Sequence, residues 1–118
     1  MTQATESEAD VTAQCVQFAR VNNIYLRRQN TGAARAGNRF VSFGEPGQCD
    51  YTGIVTATRN GVKTPGIHLE VEFKATGRKP SERQRAYIEL VRSKGGIAFY
   101  ADSLELFIQC LKREGALE

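Results

Sequence analysis

Two carboxylates and an amine alternate along the stretch from His68 to Lys74, and they are the side chains best suited to chemistry. Successive side chains of a strand point to opposite faces, so the stretch predicts an apolar face and a charged face. The apolar face is Leu69, Val71 and Phe73, and the charged face is His68, Glu70, Glu72 and Lys74. Charges this close together require either solvent or a metal ion beside them.

A further carboxylate is expected to join this face from an earlier segment. Asn60-Gly61 is typical of a two-residue hairpin turn, and the β-rich run before it begins at Asp50. Counting outward from the turn places Asp50 opposite the region from Glu70 to Glu72. Divalent cations prefer carboxylate and carbonyl oxygens. Asp50, Glu72 and the Phe73 backbone carbonyl are therefore the predicted metal ligands, and Lys74 would orient or deprotonate a water molecule or stabilise charge on a phosphate.

The charged face also has a simpler interpretation, as the solvated face of an edge strand whose charges discourage aggregation. Glu70 lies on the same face as Glu72 and competes with it for the metal. His68 lies there as well, although a surface histidine is more common than a ligand because metals at phosphodiester sites favour oxygen. Neither Glu70 nor His68 is assigned a role from the sequence.

The predicted elements follow the order helix, strands, helix, strand, helix, which indicates a mixed sheet flanked by helices in an α/β fold. Helices are predicted after a Thr5-to-Glu8 capping box, after Ser81 with Gln84 at the same spacing, and after Asp102 or Ser103. The strands are predicted at 24–26, 39–43, 50–57 and 66–74, with a buried parallel strand at 97–100. The Gly-rich stretch from Gln29 to Gly37 predicts a flexible loop.

Positive charge is concentrated in two parts of the chain, although the net charge is only +3. The interval from Arg20 to Arg39 contains no Asp or Glu, and a second cluster runs from Lys74 to Arg85. Both clusters indicate a polyanionic partner. The candidate phosphate contacts are Arg27, Arg28, Asn30, Arg35, Arg39, Arg78, Lys79 and Arg83.

Length and composition predict one domain over residues 1–118 with a core of its own. No apolar run is long enough to span a membrane, and the acidic N-terminus is not a signal peptide, so we expect a cytoplasmic protein. The three cysteines are far apart and unpaired by any Cys-x-x-Cys motif, which predicts reduced thiols that are core or spectator residues.

The ordered motifs resemble the VRR-NUC domain of the PD-(D/E)xK nuclease superfamily, over about Glu8 to Leu111. The resemblance is carried by Arg28-Gln29-Asn30-Thr31-Gly32, Gly47-Gln48-Cys49-Asp50, Val71-Glu72-Phe73-Lys74, Ser81-Glu82-Arg83-Gln84 and the Gly-Gly-x-Ala-Phe stretch. The proline that usually precedes the metal-binding aspartate of the family is Cys49 here. A restriction-endonuclease-like core of order α-β-β-β-α-β-α is the fold that this resemblance implies.

The resemblance implies a Mg²⁺-dependent endonuclease, also active with Mn²⁺, that uses no organic cofactor and hydrolyses branched DNA such as Holliday junctions. It further implies a homodimer of the short phage-encoded type, acting in the bacterial host cell. Asp50 and Glu72 take the role of metal ligands, and Lys74 and Gln84 complete the catalytic set. Glu8, or else Asp10, corresponds to a metal-associated acid of the first helix, although a helix cap explains Glu8 and Gln84 equally well.

Other functions are also compatible with the sequence. A DNA-binding module that kept the nuclease fold without catalysis would depend on the arginines between Arg20 and Arg39. Clustered carboxylates argue against it, because they repel DNA unless a cation lies between them. A nuclease that acts on flaps, ends or RNA would use the same chemistry. Cleavage of a panel of substrates separates these alternatives.

Overall fold

A computed structural model describes residues 5–29, 32–37, 39–43 and 45–117 of the chain. The helices are α1 (Glu8–Val21), α2 (Glu82–Ser93) and α3 (Leu104–Arg113). The strands are β1 (Tyr25–Arg28), β2 (Gly32–Ala36), β3 (Arg39–Phe43), β4 (Tyr51–Arg59), β5 (Val62–Phe73) and β6 (Ile97–Ala101). No helix in the described ranges is long and apolar enough to cross a membrane.

The main sheet has four strands in the order β1-β4-β5-β6. The β1–β4 and β4–β5 pairs are antiparallel, and the β5–β6 pair is parallel. Counting only the strands of this sheet, the chain follows the predicted order α-β-β-β-α-β-α, so the mixed α/β class is confirmed. The buried parallel strand predicted near residues 97–100 is β6. Since β5 lies between β4 and β6, the edge-strand interpretation of its charged face is excluded.

The segment predicted as a flexible loop is instead part of a second, two-stranded sheet. Antiparallel pairing joins β2 and β3, with Ala36 opposite Arg39. Gly37 lies in the turn between them at φ +65°, a conformation that glycine adopts without a steric penalty. The loop prediction was wrong because alanine and glycine give little β signal by themselves, whereas pairing with the predicted strand at 39–43 satisfies their backbone groups.

The predicted hairpin between β4 and β5 is confirmed. Asn60 and Gly61 both have positive φ, at 52° and 77°, as a type I′ turn requires. Both strands extend closer to the turn than predicted, so that Arg59 pairs with Val62. At the other end of the hairpin Tyr51 pairs with Val71, which places the preceding Asp50 beside Glu72.

The helix starts agree with the sequence in two of three cases. Ser81 and Gln84 form the predicted capping box of α2, and Ser103 caps α3 by accepting from the Leu106 amide. The predicted Thr5-to-Glu8 box is wrong, because Ser7 caps α1 and accepts from the Asp10 amide. Glu8 is therefore the first helical residue and not part of a cap.

The core lies on both faces of the main sheet. Leu69, Val71 and Phe73 pack against α1 and α3, and the ring centroids of Phe73 and Phe107 are 5.8 Å apart. A smaller cluster packs beneath α2 on the opposite face and consists of Cys49, Ile88, Val91 and Ala98. Cys15, Cys49 and Cys110 are free thiols, as predicted, and all three are buried, so they are core residues. The charged face of β5 thus points towards α2, where the apolar core is thin.

Candidate active site

Glu70 and Glu72 are almost completely buried, with 1% and 2% of their surface exposed. Burial of a carboxylate without partners is costly, so each of these two side chains requires compensating contacts. Glu70 and Glu72 make different contacts, and these contacts indicate different roles for the two residues.

Glu72 lies in the group of charged residues that the sequence predicted. Its Oε1 accepts from the Asp50 amide at 3.2 Å, and its Oε2 lies 3.4 Å from the Lys74 Nζ. Burial and the neighbouring Asp50 carboxylate, against the opposing effect of Lys74, together raise the pKa of Glu72 to about 7. Because burial and the Asp50 charge both disfavour the charged form of Glu72, this carboxyl group tends to hold a proton when no cation is bound.

Glu70 is engaged by neighbours that the sequence did not connect to it. Its Oε1 accepts from the Gln29 side chain at 2.7 Å, and its Oε2 lies 2.9 Å from the His68 Nε2. Burial together with the charge of the nearby Glu70 carboxylate raises the pKa of Tyr87 above its usual range. Both oxygens of Glu70 are already occupied, so Glu72 is the better candidate for a metal ligand.

Gln29 links this buried carboxylate to the segment that carries Asp50. Its amide donates to the Asp50 carbonyl at 2.8 Å, and its side chain donates to the Cys49 carbonyl at 3.0 Å as well as to Glu70. The backbone at 49–50 is thereby tied to β5 on the Glu72 face. Sequence reasoning missed this role because Gln29 appeared to open a flexible loop.

Cys49 occupies the position where proline is usual in the family that the sequence resembles. Its side chain is fully buried and packs with Ile88, Val91 and Ala98. Burial and the nearby carboxylates raise the pKa of the thiol well above its usual range, so the sulfur stays protonated. Cys49 therefore acts as an apolar anchor for the Asp50 segment.

Glu8 faces the same cavity as Asp50. This cavity has a volume of about 520 Å³ and is also lined by Thr12, Arg28 and Tyr51. The start of α1 is held there because the backbone of Glu6 pairs with Thr76, in the loop after β5. Asp10, the alternative acid, is exposed and does not line this cavity.

Gln84 is placed by its capping box. Its Oε1 accepts from the Ser81 amide at 2.9 Å. Within the described part of the chain it makes no hydrogen bond to Lys74, so the structure supports the helix-cap interpretation of Gln84. A catalytic role for this residue would have to use its side-chain NH₂ group.

The predicted phosphate contacts lie on several elements. Arg27, Arg78, Lys79 and Arg83 are exposed, and Arg28 is exposed beside the Asp50 cavity. Lys79 contacts Tyr100, with its Nζ 3.3 Å from the hydroxyl. Asn30 lies outside the described residues, as do the side chains of Arg35 and Arg39 on β2 and β3.

The donor set fits a hard divalent cation with several water ligands. Across the described ranges no three His, Cys, Asp or Glu side chains converge into a metal-holding group. Asp50 and Glu72 supply two carboxylates, and the Phe73 carbonyl lies between Glu72 and Lys74 along the chain. Mg²⁺ commonly binds through one or two carboxylates and keeps its remaining waters. A pair of carboxylates that otherwise holds a proton is suited to such an ion.

Comparison of the chain with models of protein families, with curated proteins and with solved structures finds no match.

Proposed function

We propose that the protein is a Mg²⁺- or Mn²⁺-dependent endonuclease that hydrolyses phosphodiester bonds in branched DNA such as four-way junctions. The observation that carries the proposal is the Asp50–Glu72 pair at one end of the β4–β5 hairpin, in which Glu72 is buried and the Lys74 amine lies 3.4 Å from it. A structural salt bridge would need only one carboxylate for this lysine. The second carboxylate, together with the raised pKa of Glu72, supports a site prepared for a cation.

Each residue has a distinct task in this proposal. Asp50 and Glu72 would hold the metal ion, with the Phe73 carbonyl as a further ligand and Glu8 facing it across the cavity. The bound cation would supply an activated water molecule and neutralise charge on the phosphate. Lys74 orients that water and stabilises negative charge as it develops on the phosphate oxygens. Arg27 and Arg28 on the neighbouring β1 would neutralise the DNA backbone.

The sequence motifs support the same class of protein. They resemble the VRR-NUC domain, whose core is of the restriction-endonuclease type, and the structure has the element order which that resemblance implies. A homodimer acting in the cytoplasm of a bacterial host completes the proposal.

Substitution Lys74→Ala tests the mechanism. We expect cleavage of a four-way junction to fall by about 10²–10³-fold, because one charge-stabilising donor is lost from the site. Binding of the same junction in Ca²⁺, measured by fluorescence anisotropy, should remain within about twofold, because Lys74 is only one of many cations that contact the backbone. Lys63→Ala is the matched control, since Lys63 pairs near the turn at the far end of β5.

A substrate panel defines the activity. Four-way junction, flap, splayed arm, duplex, single-stranded DNA and RNA are each incubated with Mg²⁺ and with Mn²⁺. We expect the junction to be cut fastest and no product to form in EDTA. Equal cleavage by Lys74→Ala and wild type would refute the mechanism. Absence of both metal binding and nicking would instead favour a DNA-binding module without catalysis.

A further inference from the structure

A second cavity, of about 530 Å³, lies along the outer side of β6 between α2 and α3. Strand β6 ends the main sheet on this side. Ile88, Phe99, Leu106 and Cys110 give the cavity an apolar lining. Its volume is in the range of about 300–1,000 Å³ that is usual for small-ligand sites. The cavity is separate from the one that contains Asp50 and Glu8.

Positive charge surrounds this apolar lining. Four cations line the cavity, Lys79, Arg85, Arg92 and Arg113, against the single carboxylate of Glu89. Arg92 and Arg113 are partly neutralised by Glu114, at 4.0 and 3.5 Å. In the described part of the chain, neither Lys79 nor Arg85 lies within salt-bridge distance of an acidic side chain. The combination suits a ligand that has an apolar body and an anionic group.

The cavity adjoins the candidate active site through the sheet. Tyr100 lines the cavity and pairs with Glu72 in the parallel β5–β6 register. Paired residues of neighbouring strands place their side chains on the same face, about 5 Å apart. The Lys79 amine lies 5.8 Å from the centre of the Tyr100 ring and 3.3 Å from its hydroxyl. Asp50 just before β4, Glu72 on β5, Tyr100 on β6 and then Lys79 thus follow one another from the candidate active site into the cavity.

We propose that this cavity is a nucleotide-binding subsite of the proposed nuclease, and the inference rests on that function. It takes one nucleotide of the strand that is cut, next to the cleaved phosphodiester. Lys79, Arg85 and the Tyr100 hydroxyl bind its phosphate, and the base lies against Ile88 and Leu106. Base faces bind apolar and aromatic surfaces without regard to sequence, and cationic side chains bind the backbone.

Binding of a 5′-phosphorylated dinucleotide in EDTA, measured by calorimetry and by NMR amide shifts, tests the subsite without cleavage. We expect shifts around residues 79, 85, 100 and 106. Arg85→Ala should weaken binding about tenfold, because one charge-assisted hydrogen bond to phosphate is lost. Leu106→Glu should weaken it at least as much by placing a carboxylate in the cavity. An acid is tolerated in the first turn of α3, and a thermal melt checks that the variant folds. Lys63→Ala is the charge-matched control and should bind normally.

Three results would overturn the subsite. The first is an unchanged affinity for the dinucleotide in Arg85→Ala and Leu106→Glu, and the second is an affinity for inorganic phosphate equal to that for the dinucleotide. The third is displacement of the dinucleotide by a glutamate-rich peptide of equal charge, which would identify an acidic peptide as the occupant. Different results would reject the nuclease proposal, so the two proposals can be told apart. Dinucleotide binding that depends on Arg85, with no cleavage of any substrate, would retain the subsite and reject the nuclease. Junction cleavage with an unchanged KM in both variants would retain the nuclease and reject the subsite.

Discussion

The two buried glutamates of β5 show how contacts decide the role of a residue. From the sequence, Glu70 and Glu72 lie on one face and compete for the metal, and only Glu72 is assigned to it. In the structure Glu70 is bonded by Gln29 and His68, whereas Glu72 faces a second carboxylate and one amine. Glu70 is therefore a structural residue whose carboxylate is already hydrogen-bonded, whereas Glu72 can still bind a cation.

Gln29→Ala should destabilise the fold and loosen the Asp50 segment. The change removes the Gln29 donor from Glu70 Oε1 and from the Cys49 carbonyl, at a cost of about 1–3 kcal/mol in the free energy of unfolding. Denaturant melts measure this loss. The affinity for Mg²⁺, measured by calorimetry, should fall as well because Asp50 is held less firmly. Gln17→Ala, on the exposed side of α1, should change neither quantity. Wild-type metal affinity in Gln29→Ala would show that Gln29 does not position the site.

The raised pKa of Glu72 predicts how stability depends on pH in the absence of metal. Its folded pKa of about 7 lies above the ordinary value of 4.5, so the folded state binds a proton more tightly than the unfolded state. The stabilisation is complete below pH 4.5 and is lost as the pH rises to about 7. We therefore expect the melting temperature of the wild type to fall relative to that of Glu72→Gln as the pH rises from 4.5 to about 7. A pH-independent difference would contradict the assignment.

At the scale of elements, hydrophobic periodicity and turn residues predicted most of the strands and helices that position the candidate site. The alternation of β5, the Asn60-Gly61 turn and the apolar run of β6 are local signals, and each is found as predicted. Local signals could not reveal that Gln29 bridges two segments, because its partners Cys49 and Glu70 are distant in the chain. The β2 strand was missed for the same reason, since only its pairing with β3 makes it a strand.

Two glycines should respond differently to alanine, because they support the hairpin frame in different ways. A Cβ at Gly61 meets open space, so Gly61→Ala should cost only backbone strain, about 1 kcal/mol. A Cβ at Gly53 would lie 1.9 Å from the Tyr25 carbonyl oxygen on β1. Gly53→Ala should therefore push β1 away from β4 and cost about 3 kcal/mol or more. Urea titrations measure both, and equal losses would contradict the close β1–β4 approach.

At the scale of the whole molecule, one chain presents a single Asp50–Glu72–Lys74 group, whereas a four-way junction presents two equivalent strands to cut. A two-fold dimer provides two matched sites. We therefore expect sedimentation at twice the chain mass of 13.0 kDa at micromolar concentration. A monomer would count against junction resolution, although not against nuclease activity.

Mixed dimers give a sharper test of the same arrangement. Wild-type protein is combined with an excess of Lys74→Ala and incubated with a plasmid that extrudes a cruciform. If the two subunits cut opposite strands, each mixed dimer has one competent site, so nicked circles should accumulate in place of linear product. Wild type alone, diluted to the same number of active sites, is the control and should give linear product. Linear product from the mixture in the same proportion as from wild type would show that the subunits do not cut as a pair.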